Sequence, residues 1–218
     1  MGSDYAPMVT CGGGDVTVGS RHGPARAGRA EHAVGPYPAA MRTWLALLRG
    51  INVGGRNRIL MKDLAACLED AGYSDVRTYI QSGNVIFGAA SERPALTRAI
   101  ERLLADAFDY EATLELRDLG EMRAIVEQAP PGFGSEPADF RYDVLFLLPP
   151  LAVDEVLATL TLKDGVDAAW PGPGVVYHAR LIARASQSGL SRIVTHPFYR
   201  RITVRNWNTT TNLLSLMR

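Results

Sequence analysis

The order of hydrophobic patterns between residues 43 and 116 constrains the fold of this chain more than any other feature. Short continuous apolar runs predict strands, and apolar residues at every third or fourth position predict helices. Ser91 is the predicted N-cap of the second helix. The predicted elements are strand 43–49, helix 61–71, strand 77–81, strand 85–87, helix 91–108 and strand 112–116. This order is that of the split βαβ, or ferredoxin-like, unit.

A second set of elements follows a connecting helix that begins at Asp118 and Glu121 with the spacing of a capping box. A Pro/Gly-rich stretch at 130–137 marks the internal boundary. Beyond it we predict strands at 142–148, 166–170, 175–183 and 202–205, helices at 153–160 and around 190–194, and a terminal helix at 209–217 capped by Asn208 or Thr209. The prediction is an α+β protein of two ferredoxin-like (split βαβ) subdomains, 41–129 and 130–218, with mixed or antiparallel sheets.

The first forty residues differ from the rest of the chain. They are rich in Gly and Pro among small residues, and they show no hydrophobic period of either kind. They also lack the basic start and apolar core of a secretory signal. We predict a disordered leader, residues 1–40, that is not part of the fold and precedes a true start at Met41.

Several classes of protein are disfavoured by the composition. No apolar run approaches the roughly 18 residues of a membrane span, so no membrane partner is predicted. Only two cysteines occur, which disfavours a disulfide framework and favours a reducing cytoplasm. His178 and His196 lack a second ligand at metal spacing, and no HExxH, CxxC or GxSxG motif is present. We therefore predict neither metal nor cofactor, and no catalytic residue is assigned.

Charges are distributed unevenly along the chain. From Met41 onward, all twenty carboxylates lie between Asp63 and Asp167. The flanking segments 42–62 and 168–218 hold five and seven basic residues and no acid, while the middle, with 8 basic and 20 acidic residues, carries −12. Such an uneven charge distribution bears on what the protein binds rather than on its fold. If the two basic segments meet in space, they form an anion site.

A glycine-rich loop, RGINVGGRNR, joins the first strand to the first helix. Its glycines allow consecutive backbone N–H groups to converge on an anion. The spacing of a Walker loop is present, but Arg56 and Asn57 replace its lysine and hydroxyl residue, so a nucleotide P-loop is the least favoured interpretation. A looser anion-binding nest and a structural turn both remain. The candidate ligand residues are Arg49, Gly50, Asn52, Gly54, Gly55, Arg56, Asn57 and Arg58.

Two further clusters contain polar side chains suited to a ligand. Gln81, Ser82 and Asn84 flank Gly83 in the predicted hairpin, where they bind a phosphate, sugar or base, or simply form the turn. Near the C-terminus, Arg205, Asn206 and Trp207 could bind a phosphate and stack on a base. The alternatives are a core or interface role for Trp207 and an exposed, solvated charge for Arg205.

The chain resembles a bacterial family catalogued as domain of unknown function 1697. The resemblance rests on LLRGINVGGRNRI (47–59), TYIQSGNVIF (78–87) and TVRNWNTTTNLL (203–214), and it covers residues 41–218. It implies two α+β subdomains of ferredoxin-like character but no activity. The chain departs from its relatives by having Arg56, Arg58 and Arg192 where lysine is common, and Asn212 where a basic residue is usual. These arginines keep the charge without the point-charge geometry of lysine.

Three functions follow from these patterns. The leading hypothesis is a binding protein for a phosphate-bearing ligand, a nucleotide or nucleic acid, on a basic surface formed by the Gly-rich loop and the C-terminal segment. The second is an enzyme acting on a phosphorylated or nucleotide substrate, with arginines as electrostatic stabilisers. The third is a self-associating or protein-interaction module. The sequence leaves the ligand and the oligomeric state open, because fold does not separate these functions.

Overall fold

The computed structural model describes residues 40–52 and 58–218 of the chain. Residues 1–39 of the predicted leader lie outside the described residues, as do Gly54, Gly55, Arg56 and Asn57 of the Gly-rich loop. In the first half the elements are β1 (Arg42–Arg49), α1 (Met61–Asp70), β2 (Ser74–Tyr79), β3 (Asn84–Ala89), α2 (Arg93–Phe108) and β4 (Thr113–Asp118). The connecting helix is α3 (Leu119–Glu127).

The second half repeats the order of the first with one change. Its elements are β5 (Phe140–Leu147), α4 (Val153–Thr159), β6 (Asp167–Gly172), β7 (Val175–Leu181), β8 (Ile202–Asn206) and α5 (Trp207–Leu216). Where the sequence predicted one helix around 190–194, three short 3-10 helices lie at Ile182–Gln187, Gly189–Thr195 and Pro197–Arg201. Pro197 has no N–H to donate, which separates the last two of these helices.

Both sheets are antiparallel and have the same strand order. The first is β2-β3-β1-β4 and the second is β6-β7-β5-β8. The predicted α+β class with two split βαβ-like units is therefore confirmed, with antiparallel rather than mixed sheets.

One hydrophobic core is shared by the two halves. Leu45 and Leu47 of β1 lie in the same cluster as Val144 and Phe146 of β5. Buried residues of α3 and α5 complete this cluster, while two other clusters fill the outer faces of the two sheets. The division into separate subdomains at residue 130 stays a prediction.

Helix boundaries test the predicted capping residues. The capping box of Asp118 and Glu121 is confirmed, with both hydrogen bonds at 2.9 Å. The prediction of Ser91 as an N-cap is wrong, because α2 begins at Arg93 after Glu92 without a side-chain cap. The terminal helix begins two residues earlier than predicted, since Asn206 caps it by accepting a hydrogen bond from the Thr209 N–H at 2.7 Å.

Among the described residues, no helix has the length and apolar character needed to cross a membrane.

Candidate functional site

Arg49 joins the two basic segments of the sequence. It lies at the end of β1, where its Nε donates a hydrogen bond to the Ile202 carbonyl at 3.1 Å. Its guanidinium carbon lies 4.8 Å from the centre of the Tyr199 ring, within range of a cation–π interaction. The N-terminal basic segment therefore contacts the C-terminal one at this point.

A cleft of about 720 Å³ lies beside this contact, and we call it the arginine cleft. Thr113, which pairs with Arg49 across β1 and β4, is part of its wall. The cleft runs between α2, β4 and the segment 197–201, and four cations line it: Arg93, Arg98, Arg200 and Arg201.

The four cations differ in how they are held. Arg93 donates hydrogen bonds to the Leu116 carbonyl and to Glu121, and Arg201 donates to the Pro149 carbonyl at 3.1 Å. Arg98 and Arg200 are exposed, and neither makes a hydrogen bond or ion pair with another described residue. Two guanidinium groups at the cleft are thus available to an anion.

Glu101 and Glu115 add acids to the wall of the cleft, and Glu115 is the buried one. It is only 3% exposed, and its Oε1 lies 3.0 Å from Nη2 of Arg117. Burial raises the pKa of Glu115 to about 7, although the charges of Arg117 and Arg93 oppose the rise. A carboxyl group of this kind can take up or release a proton near neutral pH.

Arg205 is buried and contacts the hairpin turn of the first sheet. It is 9% exposed, so it is not the solvated charge that one interpretation expected. Its Nε donates to Asn84 Oδ1 at 2.5 Å, and its Nη2 donates to the carbonyls of Ser82 at 2.9 Å and Leu48 at 3.0 Å. Burial lowers the pKa of Arg205 to about 10.

The polar side chains of the turn bond to the protein itself. Asn84 is completely buried, and its Nδ2 donates to the Tyr79 carbonyl at 2.9 Å and to Ser82 Oγ at 3.0 Å. Gly83 has a φ of +72°, and a Cβ there would lie 2.4 Å from a methyl group of Ile51. Only Gln81 of the predicted cluster is fully exposed.

Asn52 ties the Gly-rich loop to this turn. Its Oδ1 accepts from the Ile59 N–H at 2.9 Å, and its Nδ2 donates to the carbonyls of Ile59 and Gln81 at 3.0 Å. Asn52 adopts a left-handed conformation with a φ of 55°, which asparagine tolerates better than most residues. With exposed Arg58, Asn52 and Gln81 line a small cavity of about 310 Å³.

Asn206 and Trp207 lie at the other end of β8 from Ile202, roughly 13 Å away at the usual rise of a strand. Trp207 is half-buried and packs edge-to-face on Phe133, with ring centres 5.1 Å apart. Both residues line a groove of about 770 Å³, which we call the aromatic groove. Its other walls include Phe140, Arg141, Tyr142 and Arg180.

The predicted site residues therefore fall in four neighbourhoods. Arg49 adjoins the arginine cleft, while Asn52, Arg58 and Gln81 surround the base of the Gly-rich loop. Ser82, Asn84 and Arg205 form a mostly buried cluster, and Asn206 with Trp207 belongs to the aromatic groove. Gly50, with a φ of +74°, makes the turn between Arg49 and this loop.

Sequence reasoning missed Arg93, Arg98 and Glu115. All three belong to the acidic middle segment, in which no charged site residue was predicted. The one available signal was the pattern LELR in β4, where charged residues alternate with leucines. In a strand whose two faces are both covered, such charges are buried.

Within residues 40–52 and 58–218, no group of three or more His, Cys, Asp or Glu side chains is arranged to hold a metal ion.

Comparisons with known proteins agree with this fold. The conserved bacterial protein SP0830 from Streptococcus pneumoniae is similar in structure, with a TM-score of 0.73 and 30% sequence identity over 82% of this chain and 100% of that chain. No curated protein matches the chain. The model of the family described as protein of unknown function (DUF1697) matches residues 41–177. This chain belongs to the DUF1697 family.

Proposed function

We propose that this protein binds a phosphate-bearing ligand, a nucleotide or nucleic acid, on the basic surface where the end of β1 meets residues 197–201. The observation that carries the proposal is the contact of Arg49 with Tyr199 and Ile202, because it unites the two acid-free segments of the chain. The arginine cleft beside this contact has room for such a ligand.

Arginine suits this role because its planar guanidinium binds phosphate oxygens through two parallel hydrogen bonds. Arg93 and Arg201 are oriented by their bonds to backbone carbonyls, which reduces the entropy lost on binding. Arg98 and Arg200 supply the free guanidinium groups. Glu115 weakens the positive potential less than an ordinary carboxylate, since it is partly protonated near pH 7.

The Gly-rich loop is the second part of the proposed surface. Backbone N–H groups of Gly50, Gly54 and Gly55, with the side chains of Arg56, Asn57 and Arg58, are proposed to contact the same ligand. Asn52 and the cluster of Ser82, Asn84 and Arg205 hold the base of this loop against the hairpin turn. Their proposed part is to position the loop.

Calorimetric titration with inorganic pyrophosphate tests the proposal. Pyrophosphate has no aromatic ring, so it measures the phosphate contacts alone. Arg98→Gln and Arg200→Gln should each weaken binding by about tenfold or more, the usual effect of losing a charged hydrogen bond. Arg102→Gln is the matched control, because Arg102 is exposed on α2 and does not line the cleft. Equal affinity in all three variants, or no binding by the wild type at millimolar pyrophosphate, contradicts the proposal.

A nucleic-acid ligand has a further signature. Binding of single-stranded RNA should fall steeply with salt, with a slope of about −0.7 per phosphate contacted on a plot of log affinity against log salt concentration. Arg200→Gln should make this slope shallower, and Arg102→Gln should leave it unchanged. A flat salt dependence leaves a small phosphorylated molecule as the ligand class.

Catalysis on the bound ligand is the second candidate function, and Glu115 favours it. A buried carboxyl with a pKa of about 7 beside four arginines can act as a general acid or base. Glu115→Gln should then abolish phosphate release from pyrophosphate and nucleoside triphosphates at pH 7 while pyrophosphate still binds. Equal rates of release in the variant and the wild type exclude this role.

A further inference from the structure

The aromatic groove lies where the second sheet loses its edge strand. Strand β8 ends at Asn206, which pairs with Asp143, and the chain then turns into α5. Strand β5 begins earlier, at Phe140. Within the described part of the chain, the edge of β5 that faces β8 therefore has no strand partner over residues 140–142. The gap exposes side chains from both faces of β5 to one groove, including Arg141 and Tyr142.

Two arginines oppose each other in this groove. Arg141 and Arg180 are direct partners in the pairing of β5 with β7, and like charges in this position destabilise a sheet. Arg141 is offset by Asp143, whose carboxylate oxygens lie 3.2 Å from Arg141 Nε. The Nε of Arg180 is buried and has no hydrogen-bond partner among the described residues. An anion bound in the groove would reduce the repulsion between the two guanidinium groups.

The rings of the groove are fixed in place by their packing. Phe133 contacts Trp207 and Tyr142 edge-to-face, with ring centres 5.1 and 4.9 Å away. Gly134, with a φ of +89°, lets the backbone approach Trp207 so closely that a Cβ would lie 2.4 Å from the indole Nε1. A rigid aromatic surface binds a flat ring with little loss of side-chain entropy.

We infer that the aromatic groove is a binding site for a nucleoside monophosphate, with the phosphate at Arg180 and Arg141 and the base against Trp207. A phosphate ion fills only a small part of a groove of about 770 Å³ and leaves the rings without a partner. A nucleotide matches both the arginines and the rings, since proteins commonly hold nucleotides by stacking the base on an aromatic ring and pairing the phosphate with arginine. The inference is independent of the arginine cleft.

Titration of the full chain with AMP, adenosine and inorganic phosphate, followed by tryptophan fluorescence and calorimetry, tests this site. AMP should bind at least about tenfold more tightly than adenosine or phosphate, since only AMP makes both the ring and the charged contacts. The fluorescence should respond because Trp207 lines the groove, whereas Trp44 is fully buried and Trp170 does not line the groove.

Two variants weaken the site by different means. Arg180→Gln removes one of the two guanidinium groups that line the groove and should weaken AMP binding by about tenfold or more. Asn208→Glu places a carboxylate in the groove, in the first turn of α5. The helix dipole stabilises a negative charge at this position, so the fold should tolerate the change, but the carboxylate repels the phosphate. Arg184→Gln, outside the groove, and the neutral Asn208→Gln are the matched controls.

Each outcome decides between the two sites. AMP binding that Arg180→Gln and Asn208→Glu weaken, and that both controls retain, supports the inference. Wild-type chain that binds no AMP at millimolar concentration overturns it. Loss of AMP binding in Arg200→Gln with full binding in Arg180→Gln also overturns it, because the nucleotide then lies in the arginine cleft and the proposed function stands. If AMP still binds but pyrophosphate does not, the inference stands and the proposed function fails.

Discussion

Arg205 in the last strand donates a hydrogen bond of 2.5 Å to Oδ1 of Asn84, a residue 121 positions earlier in the hairpin turn of the first sheet. The same guanidinium donates to the carbonyls of Leu48 and Ser82. A single buried cation therefore links β8 of the second sheet to β1 and the turn of the first, and none of its hydrogen-bond partners in the described residues is a carboxylate.

Arg205→Ala should destabilise the protein by about 2 to 3 kcal/mol or more, because buried acceptors on Asn84, Leu48 and Ser82 lose their donor. Urea unfolding measures this change. Arg192→Ala is the control, since Arg192 is an exposed residue of the same basic segment and should change stability by less than about 0.5 kcal/mol. Similar midpoints for the two variants would mean that Arg205 is dispensable to the fold.

Gly134→Ala and Gly72→Ala separate backbone strain from steric clash. Both glycines have a φ of +89°, so both substitutions pay roughly 1 to 2 kcal/mol for a left-handed alanine. Only at Gly134 does the new Cβ meet another atom, Trp207 Cδ1 at 2.2 Å, whereas nothing lies within 4 Å at Gly72. Gly134→Ala should therefore lower the melting temperature further and shift the tryptophan fluorescence. Equal effects would show that Trp207 moves aside freely.

Glu115 should make the protein less stable as pH rises. The folded state keeps its proton up to about pH 7, whereas an ordinary glutamate releases it near 4.5, so stability is lost between these values. The full difference corresponds to about 3 kcal/mol above pH 7. Glu115→Gln should abolish this decline and be more stable than the wild type at pH 8 but not at pH 4. Glu111→Gln, at an exposed position, should leave the decline intact.

Asp167 should make the protein less stable as pH falls. Burial by itself raises the pKa of this carboxyl, but hydrogen bonds from Ser188 and the N–H groups of Gly189 and Lys163 bring it below its ordinary value. The stabilisation is present while Asp167 is ionised and is lost as pH falls below about 4, through the lowered pKa.

Ser188→Ala removes one of these hydrogen bonds, the 2.6 Å contact of Ser188 Oγ with Asp167 Oδ1, together with the longer 3.3 Å bond that Ser188 Oγ accepts from the Leu190 N–H. It should cost about 1.5 to 3 kcal/mol at pH 7 and less once the pH has fallen through the lowered pKa of Asp167, where the carboxyl is protonated. Ser191→Ala is the control, since Ser191 Oγ donates only to the Ser188 carbonyl at 3.3 Å. A cost for Ser188→Ala that does not vary with pH would contradict the role of Asp167.

The sequence determined the features that depend on neighbouring residues. The apolar run that forms β1, the helical spacing of α2 and the capping box of Asp118 and Glu121 are local patterns, and all three occur in the structure. Because the order of such elements restricts the topology, the two split βαβ-like units could also be predicted. The start of α5 was misplaced by two residues, since Asn206, Asn208 and Thr209 are all good caps and only Asn206 accepts the hydrogen bond.

The tertiary structure decided where the charges lie. Arg205 is buried because carbonyl and amide oxygens more than 100 residues away in sequence converge on it, and no local pattern predicts such a meeting. The same applies to Glu115, whose pKa depends on burial and on Arg117. It also applies to Arg98 and Arg200, which come from distant segments and both line the arginine cleft. The sequence showed that two basic segments exist. Packing of the two sheets decided which of their cations face solvent and which support the fold.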